Sequence, residues 1–378
     1  MGITEIIGRL LVSVAVGCAA GFCIGRLALR AQLKALFTAL KVSLVMALGL
    51  IIIGVFTHGL WPYCTLAGIS IPGGLLLSCV YCFAVIPRRP FKLSNYKDEF
   101  VTEKDRVYNG ACEDGRYDLY LPKQESADGT YALVLYIHGG GFTGGNKSEG
   151  KTWCSYMAAH GYVAASMEYT VHNKEHASNL HRMVEQIELC VSALKVQCAE
   201  RGMELTEMAV SGVSAGGCLA ALYAYGAAKT YPLPVRFLFE QTGPMYFDPK
   251  CWNKEGSAEE QATFVALLTG EPVTAEMVTS NAHAALYEAI SPCCFVNENS
   301  VPTLCAYGPK DGVVPPELKF KLLTALDQNH VAYDYIEYPN SNHGMYSDPE
   351  EHRLFVDKIM EYCKTYFDHK PQEPKNRK

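Results

Sequence analysis

The sequence predicts an α/β body with a mostly parallel central sheet, helices on both faces and an inserted helical cap, preceded by transmembrane helices. Three observations carry this. Strand-like runs alternate with helical stretches from about residue 115 onward, the pattern of a sheet covered by helices. Two glycine-rich motifs each follow a strand-like run directly. The first 86 residues are a different material, with long apolar runs and few charges.

The strand-like runs fall at 117–121, 131–137, 162–169, 208–211, 235–240, 302–307 and 333–338, and the helical stretches at 178–200, 215–229, 316–328 and 350–366. In the stretch after Ser178, Leu180, Met183, Val184, Ile187 and Leu194 recur at helical spacing and predict a core-facing stripe. Residues 246–298 interrupt the alternation. They hold two helical candidates, 257–268 and 274–288, together with Tyr246, Phe247, Trp252, Phe264 and Tyr287. A long inserted segment of this kind predicts a lid over a pocket.

The first glycine-rich motif is His138-Gly139-Gly140-Gly141-Phe142, after Ala132-Leu-Val-Leu-Tyr-Ile137. The second is Gly212-Val213-Ser214-Ala215-Gly216-Gly217, after Met208-Ala-Val210. The second predicts a nucleophile elbow, a serine on a strained turn between strand and helix, where small neighbours are required. The first lacks the spacing of a phosphate-binding loop. Its bare backbone suits Gly140 and Gly141 as donors to a developing oxyanion, with the N–H of Ala215 as a third. Gly139, Gly212 and Gly216 shape the two turns.

A serine hydroxyl needs a base, and the base needs an acid to orient it. Asp311 follows the run Val301-Pro-Thr-Leu-Cys-Ala-Tyr307, and His343 follows Tyr333-Asp-Tyr-Ile-Glu-Tyr338. Both are therefore expected on loops at the carboxyl edge of the sheet, where the functional groups of open α/β sheets gather. Asp348 is the other acid close to His343 along the chain. The order Ser214, Asp311, His343 points to acyl transfer through a Ser-His-Asp triad.

From about 115 to 365 the chain resembles the α/β-hydrolases of the esterase/lipase group. It is similar to hormone-sensitive-lipase-type carboxylesterases and to the related feruloyl-esterase-like (BD-FAE) family. The supporting segments are Tyr117-Asp-Leu-Tyr-Leu-Pro122, His138-Gly-Gly-Gly-Phe142, Gly161-Tyr-Val-Ala-Ala-Ser-Met-Glu-Tyr169, Ser214-Ala-Gly-Gly217, Asp311-Gly-Val-Val-Pro315 and His343-Gly344. The resemblance implies Ser214, Asp311 and His343 as triad, Gly140, Gly141 and Ala215 as oxyanion donors, and His138 as a loop-shaping residue. Two positions depart from the hormone-sensitive pattern. Val213 stands where an Asp is usual, and Glu168-Tyr169-Thr170 stands where Asp-Tyr-Arg is familiar. The implied activity is carboxylic ester hydrolysis. Amide hydrolysis of the prolyl-oligopeptidase or arylformamidase kind uses the same triad, and a non-catalytic membrane-bound interaction protein is the reading from another class.

Composition adds boundaries. Of 378 residues, 33 are Lys or Arg and 39 Asp or Glu, for a net charge of −6. Residues 1–86 hold five Lys or Arg and one acid, Glu5. The remainder is thus strongly acidic, which argues against a nucleic-acid partner. Three spans are expected near 5–27, 40–61 and 66–86, since a crossing needs about 20 apolar residues. Arg26, Arg30, Lys34 and Lys41 lie between the first and second, and Arg88, Arg89, Lys92 and Lys97 follow the third. The excess of positive charge on the cytoplasmic side then predicts a cytoplasmic hydrolase domain. Residues 87–114 are expected to be a linker, 115–367 the hydrolase domain, and 368–378 a disordered tail. A membrane tether suits a lipid or other small-molecule ester as substrate, with membrane lipids as partners. Ten of the 15 cysteines follow residue 86 without paired spacing, as in a reducing compartment. The histidines at 172, 176 and 181 do not form a zinc motif. No metal and no cofactor are called for.

Overall fold

The computed structural model describes residues 12–15, 70–71, 96, 98–110, 114–173, 177–227, 231–247, 252, 257–280 and 284–371. The chain divides into two units, Met1–Pro87 and Arg88–Lys378. In the first, residues 12–15 and 70–71 are helical. The expected spans at 5–27, 40–61 and 66–86 otherwise lie outside the described residues, as do Arg88, Arg89, Lys92 and Lys97. Among the described residues no helix is long and apolar enough to cross a membrane.

The second unit is built on one eight-stranded sheet. Its strands are β1 (Phe100–Val107), β2 (Arg116–Pro122), β3 (Thr130–Ile137), β4 (Val163–Met167), β5 (Glu204–Val213), β6 (Val235–Gln241), β7 (Thr303–Tyr307) and β8 (Tyr333–Glu337). They lie in the order β1-β2-β4-β3-β5-β6-β7-β8. β2 is antiparallel to both β1 and β4, and the other pairs are parallel. Alternate residues of each inner strand feed two separate cores. Leu133, Leu135 and Ile137 of β3 point into one, and Ala132, Val134 and Tyr136 into the other. A strand buried on both faces is apolar along nearly all its length, which is why these runs stand out in the sequence.

Two helices cover one face: α1 (Lys151–Ala159), which supplies Cys154 and Met157, and α8 (Pro349–Tyr366), which supplies Phe355 and Ile359. The other face carries α2 (Leu180–Ala199), α3 (Ala215–Leu222) and α7 (Lys319–Gln328). The stripe expected on α2 is buried: Leu180, Met183, Val184, Ile187 and Leu194 all join this core. Asn179 caps α2 by accepting the N–H of Arg182 at 2.9 Å, a standard means of satisfying a free donor at a helix start.

Several boundaries need correction. The segment 87–114, expected as a linker, contains β1, which pairs with β2 along most of its length. The stretch 215–229 is α-helical only to Leu222, and one wider turn follows over Tyr223–Ala227, with Gly226 at φ 121°. The candidate helix 274–288 is two short helices, α5 (Ala275–Thr279) and α6 (Ala284–Glu288). The Thr279 hydroxyl bonds back to the carbonyls of Ala275 and Glu276, and Ser280 is extended at φ −85°, ψ 130°. Such local side-chain bonds compete with helix continuation. The other inserted helix, α4 (Ala258–Thr269), starts at a Ser257–Glu260 capping box.

The start of the tail is packed rather than loose. The His369 N–H donates to Glu207 Oε1 at 2.8 Å, and Arg236 Nε donates to Glu207 Oε2 at 2.8 Å. Arg236 also pairs with Asp368. A Cβ on Gly161 would come within 2.4 Å of Pro371. Residues 368–371 therefore line the edge of the sheet where β3, β4, β5 and β6 begin.

Candidate active site

β5 is buried nearly to its end, and the chain must turn sharply to enter α3. Ser214 makes that turn at φ 56°, ψ −126°, a conformation that non-glycine residues avoid. Its N–H donates to Gln241 O at 2.9 Å, and its carbonyl accepts the Cys218 N–H at 3.1 Å. The flanking glycines are a steric necessity. A Cβ on Gly212 would lie 2.3 Å from the Gly216 carbonyl, and one on Gly216 would lie 2.1 Å from Ile137 O.

Two loops complete the constellation. His343 Nε2 lies 2.9 Å from Ser214 Oγ, and His343 Nδ1 lies 2.7 Å from Asp311 Oδ2. Nδ1–H donates to the carboxylate, which leaves Nε2 to accept the serine proton. Asp311 is buried, and its other oxygen accepts the N–H groups of Val313 (2.8 Å) and Val314 (3.0 Å). These bonds fix the acid before it touches the histidine. Asp348 does not reach His343. It ties down the His343 loop instead, accepting the Asn340 N–H at 3.1 and 3.0 Å, Asn340 Nδ2 at 2.9 Å and the Ser341 hydroxyl at 2.6 Å.

The loop after β3 passes beside the elbow. A Cβ on Gly139 would lie 2.9 Å from Val213 O and 3.4 Å from Ser214 Cβ. Gly140 and Gly141 take φ 113° and 63°, values that favour glycine. Among the described residues, the N–H groups of Gly140, Gly141 and Ala215 have no backbone acceptor outside their own elements. Phe142 turns inward at φ 64° and is buried. Its ring meets Phe247 at 6.2 Å, and Phe247 stacks on Trp252 at 5.6 Å. Phe264 of α4 closes this aromatic group, 6.0 Å from Trp252.

His138 is wholly buried. Its Nδ1 lies 2.7 Å from Gly139 O, its ring stacks on Tyr169 at 4.2 Å, and the Tyr169 hydroxyl donates to His138 O at 3.0 Å. Its Nε2 lies 3.4 Å from Glu168 Oε2. Burial pushes the Glu168 carboxyl up, but His138 and Lys147 outweigh it and hold the group below the usual carboxylate range. Lys147 Nζ lies 3.6 Å from Glu168 and 2.9 Å from Asp105. The support of this loop by Glu168 and Lys147 escapes sequence reading, because Lys147 sits in an unremarkable turn.

Among the described residues no group of His, Cys, Asp and Glu is arranged for a metal ion. His172 bonds to Ser178 O at 2.9 Å, His181 pairs with Glu185 at 3.3 Å, and His176 lies outside the described residues.

The BD-FAE family profile matches residues 117–326. The esterase LipC of Mycobacterium tuberculosis is 26% identical over 224 residues, 56% of this chain and 52% of that protein, so the match spans about half the length of this relative. An inhibited esterase B from Lactobacillus rhamnosis superposes with a TM-score of 0.58 at 17% identity, over 77% of this chain and 94% of that one. A truncated carbohydrate esterase from gut microbiota gives 0.57 at 18%, over 73% and 100%. The propionate-bound thermophilic esterase Est2 from Thermogutta terrifontis gives 0.56 at 18%, over 74% and 100%. The likeness to these structures establishes the α/β-hydrolase fold.

Proposed function

Because this chain belongs to the BD-FAE family, we propose that it is a serine hydrolase of carboxylic esters. Ser214 is the nucleophile, His343 the base and Asp311 the orienting acid. One observation carries the reading: Ser214 Oγ, on a strained turn, lies 2.9 Å from an imidazole whose far nitrogen lies 2.7 Å from a buried carboxylate.

The steps follow from the geometry. Ser214 Oγ attacks the ester carbonyl as His343 Nε2 takes its proton, and the Asp311 carboxylate steadies the imidazolium without becoming protonated. The carbonyl oxygen gains charge and is met by the N–H groups of Gly140, Gly141 and Ala215. His343 returns the proton to the leaving alcohol, and an acyl group remains on Ser214. Water then repeats the sequence and releases the acid. The rings of Phe142, Phe247, Trp252 and Phe264 favour an apolar acyl group, with residues 246–298 as its lid. The LipC match supports ester over amide chemistry.

A fluorophosphonate probe tests the mechanism. Wild-type protein labels and Ser214→Ala does not; an unlabelled wild type removes the reading. A series of p-nitrophenyl esters of rising chain length sizes the acyl pocket.

We also propose that residues 1–86 tether the hydrolase to a membrane, with the hydrolase body on the cytoplasmic side. The apolar runs and the Lys/Arg distribution support this. Cys294 is exposed, so an impermeant maleimide leaves it unlabelled in intact cells. Labelling there reverses the orientation.

A further inference from the structure

β6 is a strand destined for burial, yet it carries an acid near its end. Glu240 is fully buried. Its Oε2 accepts the Gly243 N–H at 2.8 Å, and its Oε1 has no hydrogen-bond partner among the described residues. An ionised carboxylate so placed would need a cation or several donors. The ionisable groups facing it are Cys218 from α3, Tyr225 from the turn after α3, and Cys305 and Tyr307 from β7. None is a cation. Burial pushes the acid up to about 8, against the smaller opposing effects of Tyr307 and the Gly243 N–H. It is therefore mostly uncharged at neutral pH.

The carboxyl lies between two backbones. A Cβ on Gly217, in the first turn of α3, would come 3.1 Å from Oε2, and one on Gly243 would come 2.8 Å from it. Glu240 thus fills the gap between the helix that follows the nucleophile and the turn that leaves β6. That turn holds Ser214, since the carbonyl of Gln241 accepts the Ser214 N–H. It is itself strained, with Thr242 at φ 52°. On its far side the Tyr307 hydroxyl donates to Gly243 O at 3.2 Å. A strained residue persists only where its surroundings over-determine it.

We propose that Glu240 is a positioning residue, whose carboxyl holds the β6 exit turn against α3 and so keeps the Ser214 backbone in its reactive conformation. This rests on Ser214 being the nucleophile. Loss of the Glu240 proton would set a negative charge with no facing cation against the first turn of α3, where it opposes the oxyanion.

The test uses the full chain, with p-nitrophenyl butyrate as substrate from about pH 6 to about pH 10 and fluorophosphonate labelling in parallel. In wild type, kcat falls as pH rises through about 8. In Glu240→Gln this fall moves up by about one pH unit or more, with KM little changed. Glu240→Ala lowers kcat at neutral pH by about tenfold to 100-fold, and the Gln variant restores most of it. The same alkaline fall in wild type and Gln variant, or an Ala variant with full kcat, overturns the proposal.

Melting temperature serves if the Ala variant does not fold. The native state keeps a proton that the unfolded chain releases above its ordinary glutamate value. The associated stability is full below that value and is lost as pH rises through about 8. The Gln variant lacks this decline, and an equal decline in both proteins overturns the idea. Wild type that fails to label removes the nucleophile reading and this one together. Labelling with identical pH profiles removes this one alone.

Discussion

The elbow at Ser214 and the two loops that bring Asp311 and His343 to it are held by different forces. The elbow is fixed by backbone sterics: Gly212 and Gly216 leave no room for a methyl group, and Ser214 is locked at positive φ between them. The loops are fixed by polar side chains. Asp311 gathers the N–H groups of Val313 and Val314, and Asp348 gathers the N–H groups of Asn340 and the Ser341 hydroxyl. Ser214 needs an unusual backbone, which close contact enforces and the Gln241 carbonyl supports. His343 and Asp311 need only correct placement, which hydrogen bonds supply.

The comparison can be broken at several points. The largest effect is expected from Ser214→Ala, which lowers turnover by about a million-fold while circular dichroism and melting temperature stay close to wild type. Retained turnover would mean another nucleophile. Next is Asp311→Asn, which lowers kcat by about ten-thousand-fold; if Asp348 were the real partner of His343, this variant would stay active. Gly216→Ala tests the steric side. Its methyl group meets Ile137 O at 2.1 Å, so the expected loss is about 3 kcal/mol of stability or more, read by denaturant titration. The smallest effect is that of Asp348→Ala. It strands the buried Ser341 hydroxyl and frees the Asn340 N–H groups, at a cost of about 1–3 kcal/mol, and activity recovers at low temperature where the loop re-forms. Equal loss of activity at all temperatures would make Asp348 more than a tether.

Much of this was legible in the sequence, and the gaps have physical causes. β3, β7 and the second half of β5 are buried on both faces and mostly apolar, so the motifs at their ends could be placed. β1, Phe-Val-Thr-Glu-Lys-Asp-Arg-Val, is an exposed edge strand without a single fully buried residue, and it leaves no pattern. α1 buries seven of its nine residues, so it shows no polar face to reveal its period. Asp348 was visible as an acid near His343, but its partners are mostly neighbours in its own loop, which spacing does not announce. Glu240 did leave a signal: a charged residue near the end of the mostly apolar run Phe237-Leu-Phe-Glu-Gln241.

The anchorage of His369 and Pro371 beside Gly161 and Glu207 has a practical consequence. It lies at the edge where the parallel strands start, whereas Gly140, Ser214, Asp311 and His343 all follow strand ends. A bead, dye or reporter attached through a spacer that leaves from Pro371 sets out from the side of the sheet opposite these four residues. On the proposed function, immobilised preparations made that way should keep their turnover, while attachment at Tyr346, exposed three residues beyond His343, should obstruct it.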